Sequence, residues 1–310
     1  MSTTPRGAAW SAKRVFQYLP VLLRGRPLRG HERYRPFFVV GSGRCGTTLL
    51  RAVLEAHPEV HIPPEKALRS VVRDYRRYSR LPWNVVLRIV LGQFEFHRSW
   101  ETWDLTLGPL FHELQALPRE ARNLAALIDA LYRTHAAKHK PSAKRWGDKT
   151  PANVFTLPAL HAVFPDLRVI HMVRDGRDVA LSFTHVAQGE LMRSARAWLR
   201  AVRAGHTFGV RYPGTYLEVR YEDLVREPAT TIRHVAAFLD LAFDARMLRH
   251  HELDLPLGEL MPSLRDARGP IHQDAVGRWR TAFDSSQRAV LERLLGPTLA
   301  QLGYRDPVPK

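Results

Sequence analysis

An apolar run, Phe38-Val39-Val40, passes directly into Gly41-Ser42-Gly43-Arg44-Cys45-Gly46-Thr47-Thr48-Leu49-Leu50. This succession limits the fold more than any other stretch of the chain. The segment Arg35 to Val40 reads as a buried strand. Thr47 to His57 reads as a helix whose apolar stripe is Leu49, Leu50, Val53 and Leu54. Between them lies a turn that holds anions, because successive backbone N–H groups and a helix N-terminus surround acidic oxygens. Arg44 adds charge-assisted hydrogen bonds. The ordinary phosphate loop requires Gly-x-x-x-x-Gly-Lys-Ser/Thr. Gly41 and Gly46 keep that separation, but Thr47 stands where the lysine belongs. The segment is a phosphate-loop relative that handles an anion without the usual nucleoside-triphosphate machinery.

The rhythm of the remaining chain extends this start into an α/β architecture. Val60-His61-Ile62 is a short strand before Pro63-Pro64, and residues 66–140 turn largely helical, with tryptophans at 83, 100 and 103. Those tryptophans suit a pocket wall or lid, or equally a purely structural insert. Asn153 to Val163 reads as one helix, Leu167 to Val173 as a buried strand, and Arg174-Asp175-Gly176-Arg177-Asp178 as the turn into the next helix. A basic helix near Met192 to Phe208, a strand from Thr215 to Arg220 and a helix from Pro228 to Leu239 follow. The last helix, Gln287 to Leu302, is expected to break or kink at Gly296-Pro297. Alternating strands and helices imply a mostly parallel central sheet flanked by helices, with ligands outside the carboxyl ends of the strands. Gly41 to Thr48 and Arg174 to Ser182 both fall at such ends. The division expected is a basic N-terminal arm over 1–34 and one domain over 35–305, its helical section on the substrate side.

Charge sharpens the reading. Lys and Arg number 47 against 30 Asp and Glu, a formal charge of +17. That balance favours acidic ligands, nucleic acid or an anionic surface. Cys45 is the only cysteine, which excludes an intramolecular disulfide and a multi-cysteine metal site. The histidines form no recognisable ligand set, so no metal is expected. Cysteine scarcity fits a cytoplasmic setting. The segment Val15 to Leu23 is too short for a membrane helix, is interrupted by Pro20 and lacks a cleavage context. With arginines at 6, 14, 24, 26, 29 and 33, the arm reads as flexible or as a peripheral membrane contact.

Five landmarks occur in an ordered series: Gly41 to Leu50; Pro64-Glu65-Lys66; Gly147-Asp148-Lys149-Thr150-Pro151; Val173 to Ser182; and Arg220-Tyr221-Glu222-Asp223-Leu224. A weaker sixth is Val276-Gly277-Arg278-Trp279-Arg280. In this layout the chain resembles the sulfotransferases that use 3′-phosphoadenylyl sulfate (PAPS), and it is similar to their protein-tyrosine and carbohydrate branches. The resemblance implies that Gly43, Arg44, Cys45, Gly46, Thr47 and Thr48 surround the 5′-phosphosulfate, the Cys45 side chain packing against the turn. It further implies that Arg174 and Ser182 hold the 3′-phosphate. Tyr221 is divided between containing adenine and packing in the core, and Arg278 and Arg280 close over phosphate near the end of the fold. The small-molecule branch's Arg-Lys-Gly tripeptide is absent before Gly277.

Glu65 is the expected catalytic base, held by the stiff Pro63-Pro64 entry, with His61 and then His57 behind it. Lys149, with Arg44, is assigned to the oxygens where charge grows as the bond to sulfur breaks. Asp148 either orients Lys149 or caps a helix. The implied reaction moves a sulfuryl group from PAPS, a consumed co-substrate, to an acceptor hydroxyl on a carbohydrate, glycolipid, peptide tyrosine or specialised metabolite. Competing readings are a phosphate-loop kinase or other nucleotide-dependent transferase, and a noncatalytic polyanion-binding protein. No motif supports specific nucleic-acid recognition.

Overall fold

A computed structural model describes residues 28, 34–97, 99–187, 191–255 and 265–304. The basic arm therefore lies almost wholly outside the described residues. Five strands form one sheet: β1 (Phe37–Gly41), β2 (Val60–His61), β3 (Arg145–Lys149), β4 (Arg168–Val173) and β5 (Tyr216–Arg220), in the order β2-β3-β1-β4-β5. Every pairing is parallel, with Phe38 opposite both Asp148 and Val169. The α/β expectation, a parallel sheet clad in helices, is met.

Pleating divides β1 between two cores. Phe37 and Val39 point into one, shared with Leu50, Val53 and Leu54 of α1 (Thr47–Glu55). Phe38 and Val40 point into the other. The helical section builds that second core from α2 (Arg69–Tyr78), α3 (Trp83–Glu95), α4 (Leu107–Gln115) and α5 (Leu124–His139). Trp103 is fully buried there, and Trp83 and Trp100 pack on the same cluster. These tryptophans serve the insert's own core.

One helix expected whole is divided, and one expected break is absent. The segment 153–163 is not one helix: a 3₁₀ stretch, Pro151–Thr156, precedes α6 (Leu157–Val163), and Pro158 sits in the first turn of α6. Beyond β4 come α7 (Gly176–Ala187), α8 (Leu191–Arg211), α9 (Tyr221–Arg226), α10 (Pro228–Phe238), α11 (Arg265–Arg268), α12 (Trp279–Ala282) and α13 (Ser285–Gln301). The last runs through Pro297 without the expected break. Arg293 and Pro297 both lie on its exposed side, where water can satisfy the carbonyl that proline leaves unbonded.

Strand β3 had no apolar run to announce it. Arg145-Trp146-Gly147-Asp148-Lys149 nevertheless lies inside the sheet, with Asp148 and Lys149 almost fully buried. Gly147 is required because a Cβ there would overlap the Phe37 ring on the neighbouring strand. From β1 the chain moves toward β2, and from β4 it moves toward β5. The order thus reverses between β1 and β4, which opens a crevice at their carboxyl ends.

Candidate active site

The loop after β1 winds through left-handed backbone, with φ of 75° at Gly43, 55° at Arg44 and 93° at Gly46. Such a conformation is strained for a residue with a side chain such as Arg44. It turns Arg44 toward the loop that follows β4. Gly46 could not carry a Cβ, which would strike the Tyr221 ring. The N-cap of α1 is Gly46, which has no side chain to cap the first turn. Cys45 points the other way: its thiol is buried in the first core, and burial raises its pKa. Cys45 can contribute to an anion site only through its backbone.

Arg44 Nε donates to Ser182 Oγ at 2.9 Å. Arg174 donates to the Arg44 carbonyl at 3.2 Å and to the Ala275 carbonyl, and its guanidinium lies 4.5 Å from the Tyr221 ring centre. The two segments expected to grip anions, with Arg44 and Arg174 130 residues apart in sequence, are therefore contiguous, because β1 and β4 are paired in register. Arg174 is nearly buried, yet its Nε has no hydrogen-bond partner. An unpaired buried guanidinium donor is costly and marks a place for an acceptor.

These groups border a cavity of about 230 Å³, lined by Arg44, Gly46, Thr47, Thr48, Arg174, Ser182, Tyr221 and Arg278. Tyr221 lines the cavity and also belongs to the first core. Arg278 is exposed at the rim. Arg280 instead lies over the Trp279 ring, 4.7 Å from its centre. Asp175 does not pair with Arg174 but takes a forked ion pair from Arg177, at 3.0 and 2.8 Å.

Sequence reading did not assign the wall opposite. Pro270, Ile271, His272 and Ala275 line it. The Asp178 carboxylate holds this segment by accepting from the N–H groups of Gly277 at 2.7 Å and Trp279 at 3.0 Å. His250 reaches the Ala267 carbonyl at 3.1 Å. It is buried, whereas its place in a polar His-His-Glu run suggested the surface. The Val276-to-Arg280 landmark adjoins this wall but did not point to Pro270, Ile271 or His272.

The second half of the site adjoins Thr48. Lys149, at the end of β3, donates to Thr48 Oγ1 at 3.3 Å and forms an ion pair with Glu65. The Glu65 side chain is 47% exposed while that of Lys149 is 2% exposed, so the carboxylate faces solvent and the ammonium sits beneath it. Burial depresses the Lys149 pKa, and the Glu65 charge opposes that shift. The other two bases considered are occupied elsewhere. His61 is buried between Glu55 at 2.9 Å and His135 at 2.7 Å, and His57 reaches the Ala242 carbonyl at 3.0 Å. Asp148 does not orient Lys149. Its carboxylate lies on the opposite face of β3, accepting from Tyr132 at 2.8 Å and Asn153 at 2.8 Å.

Comparison with known proteins gives this arrangement a family. The model described as "Sulfotransferase family" matches residues 36–245. A putative protein-tyrosine sulfotransferase of Caenorhabditis briggsae is 28% identical over 284 residues, covering 86% of this chain and 88% of that protein. Among solved structures, the sulfotransferase domain of the Synechococcus PCC 7002 olefin synthase superposes with a TM-score of 0.61 at 22% identity, covering 91% of this chain and all of the other. Mouse sulfotransferase SULT7A1, complexed with PAP, superposes with a TM-score of 0.51 at 15% identity, covering 88% and 86%. The chain belongs to the sulfotransferase family and is a sulfuryl-transferring enzyme.

Proposed function

We propose that this sulfotransferase takes its sulfuryl group from PAPS, passes it to an acceptor hydroxyl and releases adenosine 3′,5′-bisphosphate. The observation that carries the reading is one unbroken set of contacts. It runs from Arg174 through Arg44 and Ser182, along the loop to Thr48, then to Lys149 and Glu65. Arg174, Ser182 and the cavity rim at Arg278 hold the 3′-phosphate end. The Gly43-to-Thr48 backbone, with Arg44, holds the 5′-phosphosulfate. The SULT7A1 complex with PAP supports a bisphosphate ligand for this fold.

Glu65 accepts the proton of the acceptor hydroxyl as its oxygen bonds to sulfur. The bond from sulfur to the bridging phosphate oxygen breaks, and that oxygen leaves with the electron pair. Lys149 and Arg44 stabilise the negative charge that grows there. Before substrates enter, the Glu65 charge opposes the effect of burial on the Lys149 ammonium. When they enter, Lys149 exchanges its carboxylate partner for the leaving oxygen.

The phenol of a peptide tyrosine is the acceptor placed first, on the name of the Caenorhabditis briggsae relative. The strap bearing Glu65 leads into α2, whose Arg69, Arg73, Arg76 and Arg77 are exposed, and these suit acidic residues around the acceptor. Incubating the protein with labelled PAPS and an acidic tyrosine peptide tests the reading. Label transfer that is lost in Glu65→Gln is expected, and transfer retained by that variant contradicts the role of Glu65.

A further inference from the structure

We infer that Asp148 is a positioning residue for Glu65, acting through Thr150 and Asn153 on the backbone that follows the base. The inference rests on Glu65 being the base.

Glu65 sits on an irregular strap between β2 and α2 and has no regular element of its own to hold it. The strap is fastened immediately after it. Thr150 Oγ1 accepts the Lys66 N–H at 2.9 Å. Asn153 uses both ends of its amide, as Oδ1 accepts the Leu68 N–H at 2.9 Å and Nδ2 donates to the Lys66 carbonyl at 3.2 Å. Both backbone polar groups of Lys66 thus end on two side chains that arrive from 84 and 87 residues away.

Those two side chains are themselves oriented by one group. Asp148 accepts from Asn153 Nδ2 at 2.8 Å, from Thr150 Oγ1 at 3.3 Å and from the Tyr132 hydroxyl at 2.8 Å. The carboxylate is 1% exposed. Its acceptors decide which way the Asn153 amide faces and where the Thr150 hydroxyl proton points. With the threonine proton committed to Asp148, its oxygen is left to accept from Lys66. The Lys66 side chain ties the strap to the helical section, donating to the Gln93 carbonyl in the last turn of α3.

Neighbours on one strand therefore divide the work. Lys149 points to the reacting side and touches Glu65, while Asp148 points to the second core and holds the strap that carries Glu65. The pleat of β3 makes this possible. A buried carboxylate is an expensive choice for packing alone, and three converging donors with strap contacts behind them give it a purpose.

Asp148→Asn keeps the shape but replaces one acceptor oxygen by a donor. The expected result is a fall in kcat of about tenfold to a hundredfold, the scale of a misplacement near 1 Å. Binding of adenosine 3′,5′-bisphosphate is expected to stay within twofold, since none of its proposed contacts moves. Thr150→Val, which leaves the Lys66 N–H without its acceptor, is expected to show the same split. The decisive arm is a double-mutant cycle. In a Glu65→Gln background, Asp148→Asn is expected to lower kcat no further. If the two losses multiply, or if Asp148→Asn alone keeps full kcat, the positioning role is wrong. If Glu65→Gln alone keeps full turnover, the assignment of the base fails, a separate result. Thermal melting of each variant separates misfolding from misplacement: a kcat loss that tracks the unfolded fraction overturns the inference.

Discussion

The proposed donor end and the proposed acceptor end of this site are built by different means. At the donor end, the fold itself supplies the groups: a glycine turn, a helix N-terminus and two strand ends brought together by parallel pairing. At the acceptor end, Glu65 rides on a strap held by Thr150, just past β3, and by Asn153 of the 3₁₀ stretch. The first design depends on topology. The second depends on individual polar contacts, so single substitutions should separate chemistry from binding there.

The largest effect is expected from Glu65→Gln. Loss of a general base lowers kcat by about 10²- to 10⁴-fold, while adenosine 3′,5′-bisphosphate affinity, read by calorimetry, changes little. Comparable loss of affinity in this variant would mean the two ends are not separable. Next comes Arg174→Ala. Removing a guanidinium from a phosphate costs about 1.5–3 kcal/mol, or roughly tenfold to a hundredfold in bisphosphate affinity. Arg174→Lys should recover only part, because a point charge does not reproduce the fork. Equal weakening toward adenosine 5′-monophosphate would remove Arg174 from the 3′-phosphate.

His61→Gln gives a contrasting result. It disturbs the buried contacts with Glu55 and His135 and should lower the melting temperature while turnover per folded molecule stays within a few-fold. A rate loss as deep as that of Glu65→Gln would restore His61 as the base.

The last effect concerns pH and is read in stability rather than in rate or affinity. Burial raises the Asp148 pKa from an ordinary carboxylate value to about 6. The folded protein then binds this proton more tightly than the unfolded chain does. Relative to Asp148→Asn, the wild type should gain stability as pH falls from above 6 toward 4, by up to about 3 kcal/mol. Paired melting curves across that range check it. A difference that stays flat, or grows in the opposite sense, contradicts a buried carboxylate of raised pKa.

Much of the donor end was legible because its groups lie in short local patterns. Gly41 to Thr48 and Arg174 to Ser182 each announce a strand end, a turn and a helix start, and the structure places them side by side. The resemblance to PAPS-dependent sulfotransferases drew attention to Glu65 and Lys149, and the structure pairs them. What stayed hidden had no local pattern. Strand β3 buries Asp148 and Lys149 inside the sheet, against the rule that charged residues face water. Their polar atoms are met by Thr150 and Asn153 from just along the chain, and by Tyr132, Glu65 and Thr48 from farther away. The wall formed by Pro270, Ile271 and Ala275 was equally silent. Its attachment is a carboxylate binding backbone N–H groups, and those donors exist at every residue. Long-range polar satisfaction becomes visible only when the chain is folded.

Calorimetric titration of the wild-type protein with adenosine 3′,5′-bisphosphate and with adenosine 5′-monophosphate bears most directly on the donor site. If Arg174 and Ser182 receive the second phosphate, the bisphosphate should bind tenfold or more tightly, and Arg174→Ala should erase most of that preference. Equal affinity for both nucleotides, or a preference untouched by Arg174→Ala, would contradict PAPS recognition by this cavity.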